Sequence, residues 1–379
     1  MGNNRPLSGT EVTRTLMYAP RACAGGVESH VCELTSELLA RGAEVTLAVA
    51  NRFGRTSGAR ECLETRGAKF VEVVRNDGKG VREFLELASR PAKTYSLGRF
   101  DTIVCHGFGM SHVLVAAGRH GARLVWHDHN SGGEVMTNSR EFSPPRLEQY
   151  PWVFRRFLDC VDRVITGSER GRDHLRNFQR VKSRIHVLPP LCTFRRPRDI
   201  ESLERRSAVT CGLFGNLGPV KGTEPLLRLW SRPELSQVRL QVFGDDPKGR
   251  YARLAESLRL TNVDFRGSYT GDTLVQHAGE VDFAIIASAS EGYPLVAIEL
   301  MACGIPLVAT KVGVCPELDP SGKGVILVEH EAESVLMGIL RMIEQIKCRA
   351  IDRWVLQRRA DEIYNRQAIV DQYLEVVGR

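Results

Sequence analysis

The 379-residue sequence has few of the features that mark specialised chains, and each absence excludes something. No stretch approaches the ~18 uninterrupted apolar residues of a membrane span, because the best candidates are broken by charges such as Glu299. The opening Met1-Gly2-Asn3-Asn4-Arg5-Pro6 has no apolar core or cleavage pattern, so a secretory signal is not expected and a cytoplasmic protein is the default. The 10 cysteines include no C-x-x-C pair, which excludes the common redox and zinc arrangements. Cys105 and Cys303 lie in apolar segments where free thiols serve as small core residues, and all the cysteines read as reduced. Neither G-x-G-x-x-G between a strand and a helix nor G-x-x-x-x-G-K-[ST] occurs, which disfavours nicotinamide and P-loop chemistry. No helix-turn-helix, zinc-finger or aromatic-plus-basic RNA signature is present, so nucleic acid is not an expected partner.

What is present is ordinary globular composition, 42% hydrophobic and 26% charged, with length for two domains. The charge is uneven. Residues 1–190 carry 28 Lys+Arg against 20 Asp+Glu, whereas residues 191–379 carry 24 against 25. Nine of the cations fall between Arg155 and Arg184. Such a patch could attract an anionic membrane surface, a polyanion or a phosphorylated substrate, but charge runs are weak motifs and a solvated Arg-rich surface is the favoured reading.

Short apolar runs alternate with helical stretches. Thr15–Tyr18, Glu44–Val49, Phe70–Val74, Thr102–Cys105, Leu124–Trp126, Arg163–Thr166 and His186–Leu188 read as strands, with a helix over Val27–Arg41 ended by Gly42. Pro189-Pro190 and the polar Arg195–Arg206 break the pattern as a linker. Alternation then restarts at Thr210–Phe214, Gln241–Phe243, Val263–Phe265, Phe283–Ala287, Leu307–Ala309 and Gly324–Val328, with helices at Leu254–Arg259, Leu295–Cys303 and after Ser334. This is the pattern of α/β domains with doubly wound parallel sheets, which bind ligands at the carboxyl ends of their strands. The expected division is residues 1–190 and 191–359, with a C-terminal helix at about 360–379 able to pack back on the first domain. Ser143-Pro144-Pro145 to Pro151, beside Tyr150, Trp152 and Phe154, reads as an acceptor-pocket loop or as a cap on the core.

The strongest chemical signal is Ser290-Glu291-Gly292-Tyr293-Pro294-Leu295-Val296-Ala297-Ile298-Glu299. Two carboxylates flank a turn that opens a helix. Free N–H groups around Tyr293, Leu295 and Val296 would bind a phosphate, and Pro294 suits the first turn. Glu299 is placed to reach a ribose diol and Glu291 to accept from sugar hydroxyls. The plainer reading makes both surface carboxylates near a helix start.

With these residues the sequence resembles the retaining glycosyltransferases of family 4, the group 1 enzymes of GT-B architecture with two facing Rossmann-like domains and a cleft between them. Gly25-Gly26-Val27-Glu28 resembles the family's N-terminal glycine loop, and Phe100–His106, Leu124–Asp128 and Ile165–Glu169 its central strands. Gly215 to Lys221-Gly222 resembles the diphosphate loop, and Glu291 to Glu299, running on to Pro306, the double-glutamate motif. The resemblance implies transfer of a hexosyl-type sugar from a nucleotide diphosphate-sugar, UDP or GDP, to an acceptor hydroxyl with retained anomeric configuration. His127, Lys221 and Glu291 would be catalytic: His127 beside the transferred sugar, Lys221 neutralising the leaving diphosphate and Glu291 on sugar hydroxyls. Gly25, Gly26, Gly215, Asn216, Gly244, Tyr269, Gly292, Tyr293, Pro294, Leu295, Val296 and Glu299 would complete the donor site, Glu299 holding the ribose and Tyr269 lying near the base.

Two departures stand out. Asn216 replaces the Arg usual before the lysine, which throws phosphate neutralisation onto Lys221 and the helix start. Leu188-Pro189-Pro190-Leu191 replaces the Asn-Gly-Asp type segment that commonly closes the first domain. His127-Asp128-His129 offers two imidazoles on one side of a strand end, but the sequence identifies no third ligand, so neither a metal nor another cofactor is expected. The expected acceptors are a cell-envelope polysaccharide or lipid-linked intermediate, docked at the inner face of an anionic membrane by the basic half. A small natural product is the alternative, and a catalytically silent nucleotide-sugar-binding protein is an alternative of another class.

Overall fold

The computed structural model describes residues 13–19, 26–49, 58–72, 100–107, 110–129, 151–177, 181–192, 197, 208–319 and 321–378. Gly25, residues 143–150 and all of 195–206 except Pro197 lie outside them. The chain forms two compact units, Met1–Cys192 with Arg366–Arg379, and Thr193–Asn365.

The first unit is built on seven parallel strands: β1 (Arg14–Ala19), β2 (Glu44–Val49), β3 (Lys69–Glu72), β4 (Thr102–His106), β5 (Arg123–Asp128), β6 (Arg163–Thr166) and β7 (Arg184–Val187). Their order is β3-β2-β1-β4-β5-β6-β7, so the chain reverses direction across the sheet between β1 and β4. The central strands are apolar on both faces, as a sheet covered on two sides requires: Leu16, Met17, Ile103, Val104, Leu124 and Val125 are all buried. Helix Gly26–Ala40 buries Val31, Leu34 and Leu38, and Gly42, at φ +82°, turns the chain into β2.

The second unit repeats the plan with six parallel strands: β8 (Thr210–Phe214), β9 (Arg239–Phe243), β10 (Val263–Gly267), β11 (Phe283–Ile286), β12 (Leu307–Thr310) and β13 (Val325–Val328). Their order is β10-β9-β8-β11-β12-β13, again reversing beside the first strand. Helix Ala332–Lys347 closes one face with Val335, Leu336, Ile339 and Met342 buried.

Two elements depart from the sequence pattern for identifiable reasons. The helix expected over Leu254–Arg259 runs from Arg250 to Ser257. The Asp246 carboxylate accepts from the N–H groups of Tyr251 and Ala252 at 3.0 and 2.9 Å, which starts it early. Arg259, at φ +55°, lies beyond its end. The last strand of the first sheet is Arg184–Val187 rather than His186–Leu188, because Arg184 and Ile185 already pair with Arg163 and Val164.

The final helix, Arg366–Gly378, belongs to the first unit. It buries Ile369, Val370, Tyr373, Val376 and Val377. Arg366 bonds Glu33 at 2.6 Å and Glu37 at 2.8 Å, tying its start to helix Gly26–Ala40. At the other end Arg163 donates to the carbonyls of Glu375 and Val376 at 3.1 and 2.9 Å, satisfying groups that a helix terminus leaves open. Part of the basic run therefore has structural work. Arg172 pairs with Glu169 and Asp173, and Arg176 donates to Val181 O at 2.6 Å.

Candidate functional site

In the second unit the expected donor residues gather at the carboxyl ends of the strands. The loops after β8 and β9 touch backbone to backbone: a Cβ on Gly244, at φ +155°, would lie 1.8 Å from Gly215 O. Gly222, at φ +68°, is as confined, since its Cβ would meet Ala287 O at 2.1 Å. Only glycine fits these approaches. The loop so held carries Lys221, whose Nζ lies 2.5 Å from Oε1 of Glu291. Ser288 Oγ donates to the same oxygen at 2.6 Å, and Thr310 Oγ1 fixes Ser288 by donating to its carbonyl at 2.7 Å. The lysine read as the neutraliser of a diphosphate is thus itself neutralised by the glutamate read as a sugar contact. Asn216, on the same loop, is exposed.

Helix Leu295–Ala302 starts two residues beyond Tyr293, with Pro294 at the cap and no side chain capping it. Pro294 is therefore the cap rather than a first-turn residue, and the buried Tyr293 precedes the helix start, leaving Leu295 and Val296 as the open first-turn amides. Gly313 allows the turn to pack closely, since a Cβ there would sit 2.7 Å from Gly292 O. Neither glutamate is the exposed surface carboxylate of the plainer reading. Burial pushes the Glu299 carboxyl up to about 7, and no described residue donates a hydrogen bond to it. Tyr269 rests edge-on against Phe214, ring centroids 5.7 Å apart, and burial followed by the Glu299 charge pushes its phenol up. Lys221, Glu291, Gly292, Leu295, Val296, Glu299, Tyr269, Gly215 and Gly244 thus all belong to one strand-end region.

His127 and Gly26 belong to the other unit. Gly26 opens its first helix, and Gly25 lies outside the described residues. His127 has no exposed surface: it pairs in register with His106 across β5 and β4, and its ring centroid lies 4.5 Å from that of His30 and 4.0 Å from that of His129. One ring nitrogen from each of His30, His106 and His127 lies within 4.8 Å of the other two. The ground on which a metal was discounted, the lack of a third imidazole, is therefore corrected. Burial, followed by the neighbouring imidazoles, pushes His30, His106 and His127 well below the usual histidine range, and burial pushes His129 down to about 3. All four are neutral at pH 7. Sequence reading missed His30, His106 and Tyr373. The available signal was topological, because β1 and β4 flank the reversal point and the elements after them converge there.

Phe154, for which an acceptor-pocket loop and a cap on the core were the two readings, packs edge-on against Trp126 with centroids 5.5 Å apart, which is the core-capping role.

Two Rossmann-like units, each a parallel sheet that reverses beside its first strand, have the GT-B plan. Residues 24–191 match the model of Glycosyltransferase Family 4, and residues 208–345 that of Glycosyl transferases group 1. The chain belongs to the family-4, group 1 glycosyltransferases. It is 25% identical to the D-inositol 3-phosphate glycosyltransferase of Rhodococcus opacus, over 85% of this chain and 78% of that one. It is 23% identical to the phosphatidylinositol N-acetylglucosaminyltransferase GPI3 subunit of Saccharomyces cerevisiae, over 93% and 79%. Among solved structures, sucrose-phosphate synthase from Thermosynechococcus elongatus superposes with TM-score 0.77 at 18% identity, covering 96% and 98% of the two chains. The Anabaena HepE protein in complex with UDP-glucose gives 0.67 at 21% identity, covering 96% and 98%. No described helix is long and apolar enough to cross a membrane.

Proposed function

We propose that this glycosyltransferase moves a sugar from a nucleotide diphosphate-sugar to an acceptor hydroxyl with retention of anomeric configuration. The observation that carries the reading is the Lys221–Glu291 pair, 2.5 Å apart, in the same strand-end region as a helix start without a side-chain cap and the buried Glu299 carboxyl, to which no described residue donates. A diphosphate takes Lys221 and the amides of Leu295 and Val296, which supply positive potential from the protein itself. The ribose diol donates to Glu299, and sugar hydroxyls take over Glu291 as Lys221 turns to phosphate. With no carboxylate pair among the described residues placed for a covalent intermediate of the retaining-hydrolase kind, the acceptor attacks on the face of the leaving group, whose phosphate oxygen accepts the proton. Positioning and charge stabilisation then carry the rate.

The acceptor fits a phosphate-bearing glycolipid or envelope precursor. Both named relatives act, by their names, on phosphorylated inositols, and the first half of this chain holds the whole cationic excess. Helix Pro151–Cys160 buries Phe157 and Leu158 while exposing Arg155 and Arg156, a face suited to an anionic membrane. The test is a calorimetric screen of UDP- and GDP-sugars, followed by NMR assignment of the anomeric configuration of the product. Inversion, or no donor binding at all, overturns the reading. Co-sedimentation with anionic vesicles at low and high salt tests the docking surface.

A further inference from the structure

The two members of the Lys221–Glu291 pair are held unequally, although their backbones are stitched together. The Ala289 N–H donates to Val220 O at 2.7 Å, one residue from the lysine, and a Cβ on Gly222 would meet Ala287 O at 2.1 Å. Breaking the pair therefore takes a side-chain rotation rather than a parting of the two loops. Among the described residues Glu291 alone bonds the Lys221 ammonium, and the lysine side chain is 32% exposed. The Glu291 side chain is 13% exposed and takes a second donor on the same oxygen, Ser288 Oγ–H at 2.6 Å. Ser288 is buried two residues beyond β11. Thr310, the buried last residue of β12, donates to the Ser288 carbonyl at 2.7 Å and lies 3.1 Å from that of Ile286. A lysine on its flexible four-carbon stem swings aside easily and keeps its ammonium in water. A sheltered carboxylate that loses the ammonium is costly unless another donor stays with it.

We propose that Ser288, fixed by Thr310, is the positioning residue that makes Glu291 the fixed member of the pair and Lys221 the moving one. Its hydroxyl keeps the carboxylate in place and hydrogen-bonded when a diphosphate draws the ammonium away. Without that hydroxyl, a diphosphate that takes Lys221 leaves Oε1 with neither of these two donors, so phosphate competes less well for the lysine. This role for Ser288 rests on the donor site proposed above.

The experiment is calorimetric binding of UDP and GDP to the full chain in a double-mutant cycle of Ser288→Ala and Glu291→Gln. Ser288→Ala alone should weaken binding about fivefold, the worth of one hydrogen bond. Beside Glu291→Gln, where no charge is left to hold, the same substitution should change affinity less than about twofold, the range of independent sites. Thr310→Val, which removes the hydroxyl that fixes Ser288, should weaken binding in the same sense and lose its effect beside Glu291→Gln. A merely structural role for Ser288 would lower affinity by the same factor in both backgrounds. That result overturns the proposal, as does an unchanged affinity in Ser288→Ala, and Thr310→Val decides if Ser288→Ala does not fold. A wild-type chain that binds neither nucleotide overturns the donor site and this role with it, whereas equal losses in both backgrounds overturn the role of Ser288 alone.

Discussion

Lys221 Nζ and Glu291 Oε1 lie 2.5 Å apart, although they stand 70 positions apart in the chain and are expected to serve different parts of one donor molecule. The pair is half-sheltered, and Ser288 adds a second donor to the same oxygen, so the lysine is held in place but occupied. A diphosphate must displace a carboxylate to gain the ammonium.

That competition gives the first prediction. Glu291→Gln removes the competing charge, so UDP or GDP without a sugar should bind about tenfold more tightly, while turnover falls because sugar hydroxyls lose their acceptor. Lys221→Ala should reduce turnover by more than ~10-fold, since the ammonium acts on charge that develops on the leaving group. Calorimetry and steady-state kinetics check both. Weaker nucleotide binding in Glu291→Gln would mean that the pair binds phosphate as a unit.

A second prediction concerns Glu299, whose carboxyl burial pushes from an ordinary 4.5 to about 7. The folded chain thus keeps a proton that the unfolded chain releases, so this group contributes stability below about 4.5 that is lost as pH rises through about 7. Glu299→Gln should remove that slope and gain most over wild type above pH 7 in urea titrations. Donor binding should run the other way. The ribose diol needs the ionised acceptor, so affinity rises with pH up to about 7 and binding releases a proton. Calorimetry in buffers of different ionisation heat reads that proton, and Glu299→Gln should abolish it along with most of the affinity.

The third prediction tests the loop packing. Gly244→Ala forces a Cβ to 1.8 Å from Gly215 O at φ +155°, and should destabilise the second unit by more than ~3 kcal/mol. Gly271→Ala meets nothing within 4 Å and should change stability by less than ~0.5 kcal/mol. Chemical denaturation of the two variants compares them directly.

The fold was largely legible because parallel strands buried on both faces leave long apolar runs. Arg163–Thr166 and Thr210–Phe214 end where the apolar pattern ends. Boundaries slipped where a side chain overrode the pattern, as Asp246 did by capping the helix at Arg250. The glutamate block was visible because its residues are contiguous in sequence. The Lys221–Glu291 pair and the His30–His127 contact were not, since each depends on which strands become neighbours after crossover, a relation that single-sequence spacing does not encode. The His127-Asp128-His129 segment showed half of a cluster whose other half lay on β4 and on the first helix.

The last prediction concerns the C-terminal helix, which the chain returns to the first unit after completing the second. Ile369, Val370, Tyr373, Val376 and Val377 are each at most 5% exposed, and burying side chains of this kind is worth ~1.5–3 kcal/mol apiece. Their sum is comparable to the ~5–15 kcal/mol that holds a whole domain together, so a chain ended after Asn365 should not keep a folded first unit. Hydrogen exchange followed by mass spectrometry should show loss of protection in β1, β4 and β5 while β8, β9 and β11 stay protected. Arg163→Ala removes only the donors to Glu375 O and Val376 O, and should cost about 1–2 kcal/mol and loosen that helix alone. If the truncated chain instead kept full protection in β4 and β5, the helix would be an accessory to the first unit rather than part of its core.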